Sequence, residues 1–368
     1  MKKMNKVSLY LFYIFFASSI FSNTISQGIA IVIIILWIIK WIATRRFIRT
    51  PLDLPVLIYL FIRMVTCFTS VDVLLSLKEL RSGIFFSLIY FALTNLNDDE
   101  QGKAIYHFIT IIIYAGVVAA LYGIFYVAIH HFSLRAQSTA GGISRFSEYM
   151  MISFCLSFAL AHNRKVFPQR VFGLISIVLI ALGLLFAEAR AQWLGIIPVI
   201  IVVGIKQERS AFSILIVIFA TVIGFVSRLR KRFLTLLHPM AHTAQRLIIW
   251  KQARLLIFNR PLLGFGPRTY SVVSPVLKDR GTWHSDYLQV YMDSGIFGFL
   301  SYAYLSYMIF KYSILLARNR RKKELGLALL FTMLAMYIVS FFGGHIQEPV
   351  ITPLFFSLIG FISIANTE

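Results

Sequence analysis

The chain has 368 residues, of which 58% are hydrophobic and only 14% charged, and Lys plus Arg outnumber Asp plus Glu 36 to 15, for a formal net charge of +21. Soluble domains carry roughly a quarter charged residues, so a soluble globule is excluded. The basic excess falls in short clusters between apolar stretches, a pattern of membrane topology and lipid-phosphate contact rather than of nucleic-acid binding.

Apolar runs of about 17–22 residues recur, the length that crosses a roughly 30 Å hydrocarbon core as a helix. A membrane β-barrel is excluded, because its strands alternate apolar and polar residues over about ten positions. In chain order, transmembrane helices are predicted at 7–22, 26–43, 54–70, 78–95, 107–129, 146–162, 171–188, 192–206, 211–227, 293–316, 325–342 and 350–366. The first has a basic flank but no small-residue cleavage site, so it reads as a retained helix rather than a signal peptide. Lys78, Glu79 and Arg81 crowd the start of the fourth. Cys67 and Cys155 lie inside apolar runs as small buried hydrophobes and imply no disulfide framework.

The Lys/Arg bias sets orientation. With Lys2, Lys3 and Lys6 in the cytoplasm, the clusters Arg45/Arg46/Arg49, Arg164/Lys165/Arg170, Lys206/Arg209 and Arg318–Lys323 all fall inside. The short outer loops keep Arg135, Arg145 and Arg190. The expected architecture is therefore an all-α polytopic membrane protein of about 12 spans with both termini cytoplasmic. Its parts are 1–226 (about nine spans), a long outer loop at 227–292, and 293–368 (about three spans).

That long loop carries eleven Lys and Arg. Ala244 to Asn259 reads as an apolar helix studded with Arg246, Lys251 and Arg254, suited to the outer membrane interface. Pro261, Gly264, Gly266 and Pro267 then impose a turn. A helix is expected to begin near Ser285 or Asp286, either of which is a good cap.

Ionisable residues collect at the outer face. Arg190, in EARAQWLG between two apolar spans, must snorkel, pair with Glu188 or bind an anion. Arg246 either solvates its interfacial helix or does the same. His284 opens HSDYLQVYMDSG as a cap, a polar surface residue or a functional base. Tyr287 and Tyr291 share its helical face if the helix extends back that far, as interface-belt aromatics or sugar platforms. Arg135, Arg145 and Glu148 flank a Gly-Gly step in an outer hairpin that is either plain connection or a wall of a site. Glu348 either binds sugar hydroxyls or pairs with an Arg. His130/His131, and His345 with Glu348, lack the further partners of a zinc site, so no metal and no cofactor is expected.

Three stretches in order then carry a resemblance: ARAQWLG, RLIIWKQARLLIFNRPLLGFGPRTY and HSDYLQVYMDSGIFGFL. Together they resemble the O-antigen ligase and polymerase superfamily of bacterial inner membranes, over roughly 185–300 by motif and the whole chain by hydropathy. The matching positions are Arg190, Arg246, Trp250, Pro261, Leu262, Leu263, Gly264, Gly266, His284, Ser285, Gly295 and Gly298. Ala189 and Ala191 stand where Ser and Gly are common, Arg268 replaces a usual Gly, and Asp293 keeps a polar group where Glu is usual.

The resemblance implies a GT-C-like glycosyltransferase that moves a glycan from an undecaprenyl-diphosphate carrier to an acceptor at the periplasmic face. For a ligase the acceptor is the lipid A–core oligosaccharide. It also implies inversion at the anomeric carbon and no metal. Guanidinium groups fork onto phosphate oxygens, so Arg190, Arg246, Arg254 and Arg268 are the candidate pyrophosphate ligands, with the Arg228–Arg232 cluster as a guiding field. His284 is the candidate general base, and Ser285, Tyr287, Asp293, Arg135, Glu348, Gly264 and Gly266 support it. A repeat polymerase would use the same donor chemistry. A lipid-linked oligosaccharide flippase would need polar residues near the bilayer midplane, where these spans are nearly free of charge.

Overall fold

The computed structural model describes residues 2–96, 101–235, 244–274, 282–343 and 348–367; His345 lies outside them. Among the described residues all regular structure is helical. The helices are α1 (Lys2–Ser18), α2 (Asn23–Thr44), α3 (Asp53–Phe68), α4 (Val73–Glu79), α5 (Phe85–Ser87), α6 (Ile89–Thr94), α7 (Gln101–Ile129), α8 (Ile143–Ala159), α9 (Arg170–Phe186) and α10 (Arg190–Val199). They continue with α11 (Arg209–Phe225), α12 (Ser227–Leu234), α13 (Ala244–Leu256), α14 (Tyr270–Val273), α15 (Asp286–Arg318), α16 (Lys323–Val339) and α17 (Ile351–Thr367). Each predicted apolar segment falls on helical structure. Three helical stretches, Asn23–Thr44, Ala104–Ile129 and Asp286–Arg318, are long and apolar enough to cross a membrane.

Turn contacts sort the connections into two ends. At one end Thr139 Oγ1 donates to Phe21 O at 2.9 Å, Ala136 N to Phe186 O at 3.0 Å, and Arg145 pairs with Glu348. At the other, Asn163 Nδ2 donates to Glu324 Oε2 at 2.7 Å and Lys322 Nζ to Ala365 O at 2.8 Å. The clusters around Arg164, Lys206 and Arg320 all belong to this second end.

Buried helices sit at the centre. α8 is buried without interruption from Phe146 to Ala159, and α17 from Ile351 to Ala365. Phe12, Phe16, Phe108 and Phe361 stack their rings at 5.1–6.0 Å to tie α1, α7 and α17 together. Apolar helices in lipid gain little from hydrophobic burial against one another, so close backbone approach matters more. Gly195 supplies it between α10, α8 and α16: a Cβ there would lie 2.8 Å from Met151 Sδ and 3.1 Å from Ala335 O. α11 and α12 meet at 106°. The turn follows from composition, because the basic sequence SRLRKRFL is unsuited to continuing an apolar span.

Two expectations need correction. The segment 78–95 is not one uninterrupted helix. It breaks into the end of α4, a π-helical turn at Leu80–Ile84, α5 and α6. Within this stretch the buried Glu79 carboxylate folds over Gly83, where any Cβ would overlap it.

The second correction concerns α15, which is not a single rod. Gly295 has φ 61° and ψ −158°. The ring centroids of Tyr287 and Tyr302 are 6.1 Å apart, whereas fifteen residues of continuous helix would separate their backbones by about 22 Å. The short arm 286–294 therefore folds back on the long arm 296–318. The break strands backbone groups, and the turn after α13 satisfies them. Phe265 N donates to Met292 O at 2.8 Å and Gly266 N to Asp293 O at 2.9 Å, while Ile296 N donates to Pro261 O at 2.8 Å.

This docking demands glycine on both sides. A Cβ on Gly264 (φ 66°) would lie 2.6 Å from Met292 O, and one on Gly295 would overlap the Leu262 carbonyl. Gly295→Ala is expected to cost at least about 1–3 kcal/mol from the left-handed backbone alone, read as a lowered thermal midpoint in detergent. Gly28→Ala, with φ outside the left-handed region and nothing within 4 Å of its Cβ, should leave the midpoint unchanged. Equal midpoints for the two variants would refute the account of the break.

Candidate functional site

The first turns of α8 and α10 open onto one cavity of about 550 Å³. α8 contributes Ser144, Ser147 and Glu148, and α10 contributes Arg190, Ala191 and Gln192. Arg135 enters from the loop after α7, Arg232 and Thr235 from α12 and its end, and Arg246 from α13. Val339, Phe342 and Gly343, at the end of α16, close the remaining side. Residues far apart in sequence thus place four guanidinium groups around a single space, with Glu148 the one carboxylate among the described lining residues.

Positive charge dominates the lining of this cavity. The first peptide N–H groups of a helix have no carbonyl one turn back, and they carry partial positive charge. Two such termini meet here. Burial holds the Arg190 guanidinium below its ordinary value, and the nearby charges of Arg232 and Arg246 push it the same way. Burial also lowers Arg246. Arg135 is lowered by burial and by Arg232 in turn. Guanidiniums remain protonated at neutral pH, so these depressions record charges that are partly dehydrated and held close together.

Local contacts fix the arginines without neutralising them. Arg190 Nη1 donates to Thr235 Oγ1 at 3.0 Å, Arg135 Nε to Ala187 O at 2.8 Å and Arg232 Nε to Glu188 O at 3.2 Å. The partner considered for Arg190, Glu188, pairs instead with Arg228 at 2.6 Å. Glu348 pairs with Arg145. Among the described residues no carboxylate lies within ion-pair distance of Arg135, Arg190, Arg232 or Arg246.

His284 stands at the edge of this arrangement. It is half-buried and has φ 53°. It precedes α15, so Tyr287 and Tyr291 do not share a helical face with it, and the helical continuity on which that expectation depended is absent. His284 is not among the residues lining the cavity. Its loop is nevertheless tied to the cavity wall. Asp286 N donates to Ser340 O at 2.9 Å, and Ser340 Oγ donates to Asp286 Oδ2 at 2.8 Å. Tyr287 OH donates to Tyr337 O at 2.9 Å. On its other side Trp283 is buried, and its N–H donates to Gln289 Oε1 at 3.2 Å. Ser285 is the N-cap of α15 but makes no side-chain capping bond.

Sequence reading overlooked a buried charge cluster that underlies this loop. Arg63 of α3 is 2% exposed and lies 3.0 Å from Glu79 Oε1 and 3.5 Å from Asp293 Oδ2. Arg268 Nε closes on Glu79 Oε2 at 2.9 Å. Gln289 Nε2 donates to Asp293 Oδ1 at 2.7 Å, which links the cluster through Gln289 to the backbone of Trp283, next to His284. The available signal was an Arg and a Glu in or beside apolar spans, which require partners. The structure therefore places Arg268 on Glu79 rather than in the cavity. Gly266 lies against Ser70, whose hydroxyl donates to Phe265 O at 3.0 Å. Arg254 is exposed and faces a separate hollow with Trp250, Ser285 and Tyr287.

Removing Arg63 would take one cation from two buried carboxylates, Glu79 and Asp293. Arg63→Met is expected to cost about 3–5 kcal/mol, seen as loss of folded protein or a steep fall in thermal midpoint. The double variant Arg63→Met/Glu79→Gln should recover part of that loss. A single variant as stable as the parent would show that the cluster carries no such weight.

No curated protein matches the chain. Residues 175–303 match the family model described as O-antigen ligase. The matched stretch runs from α9 past the break at Gly295 and contains Arg190, Arg246, Arg268 and His284. The turn, the helix break and three of the four cavity arginines, Arg190, Arg232 and Arg246, fall inside it, so this part of the chain is similar to the O-antigen ligase family.

Proposed function

We propose that this chain is an O-antigen ligase: it transfers a glycan from undecaprenyl diphosphate to the lipid A–core oligosaccharide at the periplasmic face of the bacterial inner membrane. The observation that carries the reading is the convergence of Arg135, Arg190, Arg232 and Arg246 on one cavity at a single end of the helix bundle. The opposite end holds the Lys/Arg clusters, so the positive-inside rule makes it cytoplasmic. Both termini then lie in the cytoplasm with twelve spans between them, and the family resemblance implies a GT-C-like arrangement. The helices shorter than about 20 residues cross by continuing through π turns and flanking turns.

In the proposed reaction Arg190 and Arg246 hold the donor pyrophosphate, helped by the N-termini of α8 and α10. The pyrophosphate role expected of Arg254 and Arg268 passes to Arg135 and Arg232. A hydroxyl of the acceptor attacks the anomeric carbon as the bond from that carbon to the pyrophosphate oxygen breaks, with inversion in a single displacement. The hydroxyl proton goes to His284, and undecaprenyl diphosphate departs with its new charge held by the guanidiniums. No step calls for a metal or a cofactor.

The test uses purified protein, an undecaprenyl-diphosphate glycan and lipid A–core, without ATP or added metal. Glycan joined to core is the expected product. His284→Ala should abolish transfer, since a positioned base contributes about 10²–10⁴-fold, while membrane insertion stays normal. Arg190→Ala and Arg246→Ala should each lower kcat by about 10²–10³-fold. Near-normal turnover by His284→Ala would remove its role as base. Donor chains that lengthen without reaching core would assign a polymerase, and donor crossing liposomes without joining would assign a flippase.

A further inference from the structure

Beside the cationic cavity lies a second compartment of opposite character. Tyr287, Phe299 and Phe341 line two adjoining hollows of about 410 and 450 Å³, which makes them one trough. Its floor is the long arm of α15, including Ala303, Ser306 and Phe310. One wall is a single face of α16 bearing Leu334, Tyr337 and Ile338. Its mouth is roofed by Trp250 and Arg254 of α13. Arg254 is the only charged side chain among the described lining residues. The Trp250 indole N–H is buried and meets no acceptor among them.

Cavity and trough share two elements. On α13, Arg246 faces the cavity, and Trp250 and Arg254, one and two turns on, face the trough. At the end of α16, Val339, Phe342 and Gly343 face the cavity, while Ile338 and Phe341 face the trough. The partition between them is the segment around Ser340, to which Asp286, two residues from His284, is hydrogen-bonded. Ser285 lines the trough mouth.

A transferase with two lipid-anchored substrates needs two seats that meet at the reacting atoms. The cavity suits a pyrophosphate. The trough suits hydrocarbon with one anionic group at its mouth. Its floor from Phe299 to Phe310 is about 16 Å long, close to half the hydrocarbon core. That fits the acyl chains of a lipid in one leaflet and is far too short for an undecaprenyl tail.

We propose that this trough seats the acceptor: acyl chains lie between the long arm of α15 and α16, a headgroup phosphate meets Arg254 and the Trp250 N–H, and the sugar to be modified extends to His284. The proposal rests on the transferase reading above. It adds a separate acceptor site formed by residues outside the cavity.

The experiment fills the trough from its exposed floor. Ala303→Trp and Ser306→Trp are compared with the parent in transfer kinetics, varying each substrate in turn, after matching thermal midpoints confirm folding. The KM for lipid A–core should rise about tenfold or more, with the donor KM within about twofold of the parent. Arg254→Gln should raise the acceptor KM and lose that effect with a dephosphorylated acceptor. A rise in donor KM instead would assign the trough to the polyprenyl tail and overturn the proposal, as would no change in either KM. Native mass spectrometry reads the site independently of turnover. The parent should retain lipid A–core and Ala303→Trp should lose it, even if the parent transfers nothing, in which case the ligase reading alone fails. Displacement of bound acceptor by phosphatidylglycerol at equal concentration would make the trough an ordinary phospholipid seat and overturn the assignment.

Discussion

A peptide group left unpaired within a bilayer has no water to turn to, and each one costs several kcal/mol. The reversal at Gly295 creates several at once, because the carbonyls of Met292 and Asp293 and the amides of Ile296 and Phe297 lose their helical partners. The turn from Pro261 to Gly266 supplies those partners from its own backbone, at 2.8 to 3.4 Å. Only a turn with glycine at 264 can come so close to a helix broken at another glycine, 295. The two segments are consequently one structural unit. That unit sets where α13 can lie, and so where Arg246 stands. It also sets where the short arm of α15 begins, and so where His284 stands.

The charge cluster of Arg63, Glu79, Asp293 and Arg268 reinforces the same junction from the α3 side. Val71 N donates to Phe265 O at 3.0 Å, and Ser76 Oγ to Pro267 O at 2.6 Å. A buried ion pair adds little net stability on average, but losing one partner costs a great deal. Such a cluster tolerates very few alternative arrangements. Its contribution here is registration: it fixes the short arm against α3, and through Gln289 it reaches the backbone of Trp283.

Much of this was legible in the sequence, for definite reasons. Run length and charge gave the helices because a bilayer leaves so few options for an apolar chain. Pro261, Gly264, Gly266 and Pro267 marked a turn because few other conformations suit them. What stayed hidden was choice among partners. Glu188 stands two residues from Arg190, yet it pairs with Arg228, forty residues away, and a chain pattern does not show such a choice. Arg268 reads in the chain as one more phosphate ligand, whereas its partner is Glu79, 189 residues away. The reversal at Gly295 was hidden because one glycine in a helical pattern is commonly tolerated, and Asp286 to Arg318 otherwise reads as a continuous helix.

The pairing pattern explains how the cavity arginines stay without a carboxylate in ion-pair reach among the described residues. Carboxylates near the cavity end are scarce: Glu148 lines the cavity itself, and others are engaged, Glu188 by Arg228, Glu348 by Arg145 and Glu79 by Arg63 and Arg268. Each pair lies outside the ring of cavity arginines or beyond ion-pair reach of it. Arg190, Arg232 and Arg246 are left to repel one another, a cost already present before any ligand arrives. The pyrophosphate donor of the proposed reaction would relieve that repulsion on binding, and more so as negative charge grew on the departing oxygen. The α13 stripe that starts at Arg246 then carries Trp250 and Arg254 across the partition. The proposed donor and acceptor seats therefore lie under the same helix, and the loop of His284 is tied through Asp286 to the segment between them.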